Sequence, residues 1–252
     1  MSPFKSSLAR SAGKLLDVSR ERDKSLRGAV QSSRYISVGL PYEIGDFVEG
    51  GYCGGYISHT ADGEATHALI VAPAATGASG PGYTLTSTYA WKTSNDGSTA
   101  GTTSLYDGKA NSDAMVTAGI TNHPAANFCH TRDINGYTDW YLPAILEYDI
   151  AYQNLKPTTA SNNTSSGVNA YAVPPRGSNR TSGDPSQTSI ALFQSGGAQA
   201  FVEQTTTGHW SSTFASSNRA YRMQFYTGYN DPTASNSFVN PFPVRAFRRV
   251  AV

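Results

Sequence analysis

The chain has 252 residues, 38% apolar and 11% aromatic, with a formal net charge of +1. That is enough apolar material for a proper core in one large domain or two small ones. No stretch approaches the roughly 20 apolar residues of a membrane span, and the N-terminus lacks the apolar centre of a signal peptide, so neither membrane insertion nor Sec-type export is expected.

The small net charge hides an asymmetry. Residues 1 to 34 carry eight basic and three acidic side chains, +5, and the remaining 218 carry eleven against fifteen, −4. The positive potential therefore sits in a short N-terminal arm. Leu8, Ala12 and Leu15 fall on one helical stripe, and Asp23 precedes Arg27 by four residues, which predicts a helix up to about Gln31. Gly13 and Gly28 weaken it. A stripe this thin does not stabilise an isolated helix, so the arm is expected to order by packing on a partner or on its own copies; a disordered basic tail is the alternative. Its attachment residues would be Leu8, Arg10, Lys14, Leu15, Arg20, Arg22 and Arg27. Three interspersed acids give too weak a field to favour nucleic acid as the partner.

From Ile36 the texture changes to aromatic and β-branched residues. Tyr52 to Ser58 and Thr66 to Ala72 flank Asp62-Gly63, a strong hairpin signal. Further turns are expected at Asp96-Gly97, Asp107-Gly108 and Asn135-Gly136. Two helices stand out. One runs from His123 to Arg132 with Pro124 in its first turn, and one from Pro143 to Lys156, with Ala144, Tyr148, Ala151 and Leu155 on one face. Residues 157–197 are rich in Ser, Thr, Asn, Gly and Pro and read as a long surface insertion. Ile190 to Val202 has helical character, Trp210 to Thr213 begins a closing sheet, and strands follow over Tyr221 to Tyr226 and Val244 to Val250. In the first of these, Tyr221, Met223 and Phe225 share one side, and Arg222, Gln224 and Tyr226 the other.

Between Phe214 and Phe242 the chain is rich in Ser, Asn, Tyr and Arg. Tyrosine gives large contact area at low entropic cost, and Ser and Asn give adaptable hydrogen bonds, the composition of antibody-type binding surfaces. Recognition rather than catalysis is the expectation.

Three features in series resemble the C-type-lectin-like domains of phage adhesins and of bacterial surface proteins related to the Lcl C-terminal domain, some of them diversified by retroelements. They are Trp140 to Pro143 opening a helix with Glu147, then Trp210, Ser211, Ser212 and Thr213, and then Val244 to Arg249. The resemblance covers residues 40 to 252. It implies an α+β C-type-lectin-like fold over 41–252, a small mixed antiparallel sheet with two flanking helices and long loops, preceded by an N-terminal anchoring and oligomerisation arm over 1–40. Carried over by position, Trp210 and Arg245 become scaffold. Ligand contacts fall to Asn218, Arg219, Tyr221, Arg222, Gln224, Tyr226, Tyr229, Asn230, Asn236, Phe238 and Asn240. The Glu-Pro-Asn and Gln-Pro-Asp calcium tripeptides of sugar-binding lectins are absent, and Asp231 is the one carboxylate in the stretch. No metal, cofactor or catalytic residue is therefore expected.

Catalytic readings have few footholds. His59 with His67 and His123 with His130 could each share a face, but no third ligand is evident. Asp139, Glu147 and Asp149 could form a carboxylate pair for glycoside cleavage, although carboxylates near a helix start also favour its dipole. Related folds include sulfatase-modifying oxidases, which need reactive cysteines; Cys53 and Cys129 read more simply as buried structural thiols, with one long-range disulfide the alternative.

These readings describe a phage virion structural protein assembled in the host cytoplasm, a fibre, tail or head-surface adhesin. Its arm would meet other virion proteins and build a homo-oligomer such as a trimer, and its C-terminal domain would bind a bacterial surface protein or polysaccharide. The alternatives are a capsid or tail decoration protein without a specific ligand and a bacterial, retroelement-diversified surface binding protein.

Overall fold

A computed structural model describes residues 39–232 and 237–252. The arm, with Leu8, Arg10, Lys14, Leu15, Arg20, Arg22 and Arg27, lies outside the described residues, as does Asn236. Pro41–Val252 is one compact unit. In chain order its elements are β1 (Phe47–Val48), β2 (Gly51–Ile57), β3 (His67–Val71), the single helical turn α1 (Ala74–Gly77), β4 (Ala78–Ser79), α2 (Gly108–Thr117), α3 (Pro124–His130) and α4 (Ile145–Leu155). They continue with β5 (His209–Ser216), β6 (Arg219–Gln224), β7 (Tyr229–Asp231), β8 (Val244–Arg245) and β9 (Phe247–Ala251). The protein is α+β, with few helices and three antiparallel sheets, ordered β1-β2-β3-β9, β4-β8 and β5-β6-β7.

The hairpin forms where Asp62-Gly63 predicts it. Asp62 Oδ1 accepts from Ser58 Oγ at 2.8 Å and from the Glu64 amide at 3.0 Å, and Ala61 and Gly63 take positive φ. Its register slips between Cys53 and Gly55. Asn154 of α4 reads that irregularity, donating to the Gly54 carbonyl at 2.9 Å, and a Cβ on Gly55 would lie 2.5 Å from Ile150 Cγ2. The bulge thus lets α4 lie directly on the sheet.

Helix α4 is buried on almost every side, with Ile145, Glu147, Tyr148, Asp149, Ile150, Ala151, Tyr152 and Leu155 all inside. It starts at Ile145, not at Pro143. The Pro143 carbonyl is taken by the Ser212 amide at 2.8 Å, and Ala144 is extended. An alanine N-cap offers no side-chain acceptor; Thr213 of β5 supplies one instead, accepting from the Ile145 amide at 3.1 Å. Glu147 Oε2 takes the Ala144 amide at 2.7 Å, half of a capping box.

Three expectations need correction. Gly108–Thr117 is a third helix where a turn is predicted, because Asp107 is its N-cap, accepting from the Ala110 amide at 2.9 Å. Ile190 to Val202 is not helical beyond the 3-10 turn Ala191–Phe193. The Gln199 carbonyl and Oε1 are held by the Arg245 guanidinium at 2.7 and 3.1 Å. The closing strand breaks at Ala246, whose amide donates to Gly77 and whose carbonyl accepts from Ala72; β8 then pairs with β4, and β9 with β3.

The main core gathers the inner faces of β2, β3, β6 and β9 around α4, with Tyr148, Phe193, Phe201, Phe225 and Phe247 at its centre. Phe201 and Phe225 stack at 3.8 Å. Cys53 and Cys129 are free and buried, and burial pushes the Cys53 thiol up to about 11.

Candidate functional site

Scaffold residues underlie the β5-β6-β7 sheet. Trp210 is fully buried, its indole N–H donating to the Tyr89 carbonyl at 2.9 Å and the Asn240 carbonyl at 3.2 Å. Arg245 is also fully buried, lying over the Phe201 ring at 4.6 Å and donating to the Ala72 carbonyl at 2.9 Å. A guanidinium so deep is tolerated because carbonyls and ring faces replace its water.

The inward side of β6 follows the alternation: Met223 is buried, Phe225 just beyond the strand is buried, and Tyr221 packs against the same core. The strand itself runs from Arg219 to Gln224, two residues earlier than expected, because the Gly228 amide returns to the Gln224 carbonyl at 2.7 Å and turns the chain there.

The opposite side is not all surface. Arg222 is buried, not exposed: its Nε donates to Asp231 Oδ2 at 2.8 Å, its Nη1 to the Thr206 carbonyl at 3.2 Å, and it lies over the Phe242 ring at 4.6 Å. Asp231 is its register partner on β7, so the neighbouring strand's carboxylate, the Thr206 carbonyl and the Phe242 ring enclose a side chain that would otherwise lie on a free face. Phe238 is likewise core, stacked on Trp91 at 4.5 Å. Both are withdrawn as contact residues. Asn218, Arg219, Tyr221, Gln224, Tyr226, Tyr229, Asn230 and Asn240 are half-buried.

The half-buried residues do not form one cluster. Gln224, Tyr226, Tyr229 and Asn230 gather at the β6–β7 turn, where Gln224 pairs in register with Tyr229. Asn218 and Arg219 lie at the other end of β6, beside Ser237. A six-residue strand separates the groups by roughly 20 Å.

The insertion holds the first group. Thr158 Oγ1 donates to the Tyr226 carbonyl at 3.0 Å, the Asn163 amide to the Thr227 carbonyl at 2.8 Å, and the Asn230 amide to Ser166 Oγ at 3.2 Å. Arg180 Nη1 donates to the Gly228 carbonyl at 2.7 Å. Gly228 has φ +74, and a Cβ there would meet Tyr152 Cε1 at 2.3 Å. The segment 157–197 is therefore not simply surface: Thr158, Asn162, Ser166, Asn169, Arg180 and Thr188 are all buried. Its backbone groups are satisfied one at a time, by scattered backbone partners such as Ser182 for the Asn162 amide and Tyr56 for the Val173 amide and by side chains such as Asn162 and Asn169, rather than by a regular ladder.

At its base sits Asp149 of α4, wholly buried and paired with Arg176 and Arg180, with Asn169 Nδ2 donating at 3.0 Å. Arg180 also covers the Tyr152 ring at 4.7 Å. Sequence reading missed this clamp. The available signal was an aspartate inside a helix whose neighbours on both sides are apolar, with two arginines four apart in the insertion.

The catalytic footholds disperse. Glu147 accepts from Tyr141 Oη at 2.8 Å, and burial pushes its carboxyl up to about 8. Asp139 pairs with Arg248, Nε to Oδ1, at 2.7 Å. His59 and His67 do meet, with ring centroids 4.8 Å apart, but burial and then the Arg249 guanidinium draw His67 down to about 4. His123 is buried against Thr99 at 2.7 Å while His130 is exposed, so this pair shares no face; His123 precedes α3 and escapes its periodicity. Among the described residues no group of three His, Cys, Asp or Glu side chains could hold a metal ion.

Comparison with protein-family models gave no match, and comparison with curated proteins gave none.

Proposed function

We propose that the chain is a phage virion structural protein, a fibre, tail or head-surface adhesin with a C-type-lectin-like domain that binds a bacterial surface protein or polysaccharide. The N-terminal arm attaches it to other virion proteins and supports a homo-oligomer. The observation that carries the reading is the Tyr226–Asn230 turn, which offers two half-buried tyrosines and is fixed by Thr158, Asn163, Ser166 and Arg180. Aromatic side chains on a pre-organised turn bind with little further ordering cost. Arg222 braces the sheet through Asp231 and Phe238 packs on Trp91 at its other end, so the contact face is smaller than the sequence suggests.

The test is adsorption of assembled particles to host cells after Tyr226→Ala with Tyr229→Ala. A tenfold or greater loss with normal particle yield supports the adhesin. Unchanged adsorption favours a decoration protein without a specific ligand.

A further inference from the structure

The segments that build the Tyr226–Asn230 turn carry no charge. Residues 223–230, and residues 157–175 of the insertion that hold them, contain no Asp, Glu, Lys, Arg or His. Arg180, which reaches the Gly228 carbonyl, and Arg222, two residues before Gln224, are matched by the buried carboxylates of Asp149 and Asp231. What remains beside the two tyrosines is amide and hydroxyl: Gln224 and Thr227 from the turn, and Asn163, Thr164 and Ser165 from the insertion, all half-buried or exposed. Among the described residues neither Tyr226 nor Tyr229 stacks on another aromatic ring, and neither hydroxyl has a hydrogen-bond partner. Tyr106 and Tyr171, by contrast, stack on each other at 3.8 Å.

We propose that the receptor read by this turn is an uncharged surface polysaccharide, with one of its pyranose rings lying on the face of Tyr226 or Tyr229. The assignment rests on the adhesin reading and names its ligand class. The C–H groups on one side of a pyranose are weakly positive and suit the negative face of an aromatic ring, while Gln224, Asn163 and Thr164 offer donors and acceptors to the ring hydroxyls. A uronate or phosphate polymer would bring its charge to a turn whose own segments carry no cation, and would lose hydration there without compensation. A specific protein interface covers roughly 800 Å² per partner, which a turn with two exposed rings does not present. Asn218 and Arg219, which could widen it, stand roughly 20 Å away along β6.

Competition for adsorption of assembled particles tests it. Host surface polysaccharide is separated on an anion exchanger into neutral and acidic fractions, and periodate-treated surface protein, extracted with detergent, is the third competitor. The neutral fraction is expected to lower adsorption of the parent about tenfold, through the many sites of one particle, and the other two to leave it unchanged. Tyr226→Phe with Tyr229→Phe keeps both stacking faces and should adsorb within about threefold of the parent, unlike the double alanine variant. If the double alanine variant adsorbs as the parent does, the adhesin reading falls and the ligand class with it. If that variant loses adsorption but the acidic fraction or the protein competes as well as the neutral fraction, or nothing competes, the adhesin stands and the uncharged polysaccharide is overturned. A phenylalanine pair as impaired as the alanine pair, at normal particle yield, overturns stacking on these rings.

Discussion

Arg180 donates a 2.7 Å hydrogen bond to the carbonyl of Gly228, 48 residues away in sequence. The same guanidinium pairs with Asp149, so one buried side chain ties the insertion, helix α4 and the β6–β7 turn together. Breaking a buried ion pair from one side costs about 3 to 5 kcal/mol, because the remaining charge loses its compensation. Arg176 and Asn169 stay on Asp149, so Arg180→Gln is expected at the lower end, about 3 kcal/mol by denaturant unfolding. Amide exchange at residues 227–230 should quicken in the same variant; protection equal to the parent's would mean that Thr158 and Asn163 suffice to hold the turn.

Gly228 and Gly136 form a matched pair. Both have positive φ, 74° and 81°, but a Cβ would strike Tyr152 at the first and meet nothing within 4 Å at the second. Gly136→Ala should cost about 1 kcal/mol, the conformational cost alone. Gly228→Ala should cost at least about 1 kcal/mol more, since Tyr152 is itself packed in the core. Thermal unfolding of the two variants gives the difference directly, and equal losses would remove Tyr152 as the reason for glycine at 228.

Glu147 makes the stability depend on pH. Burial raises its carboxyl from 4.5 to about 8, so the folded state holds a proton that the unfolded state releases. Its contribution is fully present below pH 4.5 and is lost as pH rises to about 8, on the order of 5 kcal/mol over the whole window. Glu147→Gln, a permanently neutral isostere, is expected to match the parent near pH 4.5 and to exceed it in denaturant midpoint above pH 8. A constant difference between the two at all pH values would contradict the assignment.

His209 acts with the opposite sense. It is fully buried, with Nε2 2.8 Å from Tyr83 Oη, and burial followed by the Arg245 charge lowers it from 6.5 to about 3. Its stabilising effect is complete above pH 6.5 and falls away as pH drops towards 3, on the order of 3 kcal/mol between pH 6.5 and 4. His209→Gln should flatten this acid limb in unfolding measurements at pH 4, 5 and 7, and an acid limb as steep as the parent's would assign the loss to other groups.

Local signals were legible in the sequence, and tertiary compensation was not. The hairpin at Asp62-Gly63 is fixed by contacts within four residues, and its turn chemistry is written in the same stretch. The alternation of Tyr221, Met223 and Phe225 was readable for the same reason. Helix α4 was visible from its apolar spacing, but its first residue depends on Thr213 and Ser212, some seventy positions later. Asp107-Gly108 carries the same dipeptide as a turn yet caps a helix, and glycine is needed there because a Cβ would lie 2.3 Å from Glu147 Oε2. At the candidate site, the period-two rule places Arg222 opposite Met223 correctly; that Asp231, Thr206 and Phe242 enclose it lies beyond any window of local sequence.

The pairing of β9 with β3 has a consequence in time. Arg245, next to that strand, reaches back 173 residues to the Ala72 carbonyl at the end of β3. During synthesis the early hairpin must therefore wait, with one flank of β3 uncovered, until nearly all of the described chain has left the ribosome. Such a flank is a template for stray strands from neighbouring nascent copies, and distant partners of this kind slow folding. Weaker induction, which leaves fewer nascent copies side by side while that flank waits, should then raise the yield of correctly folded protein.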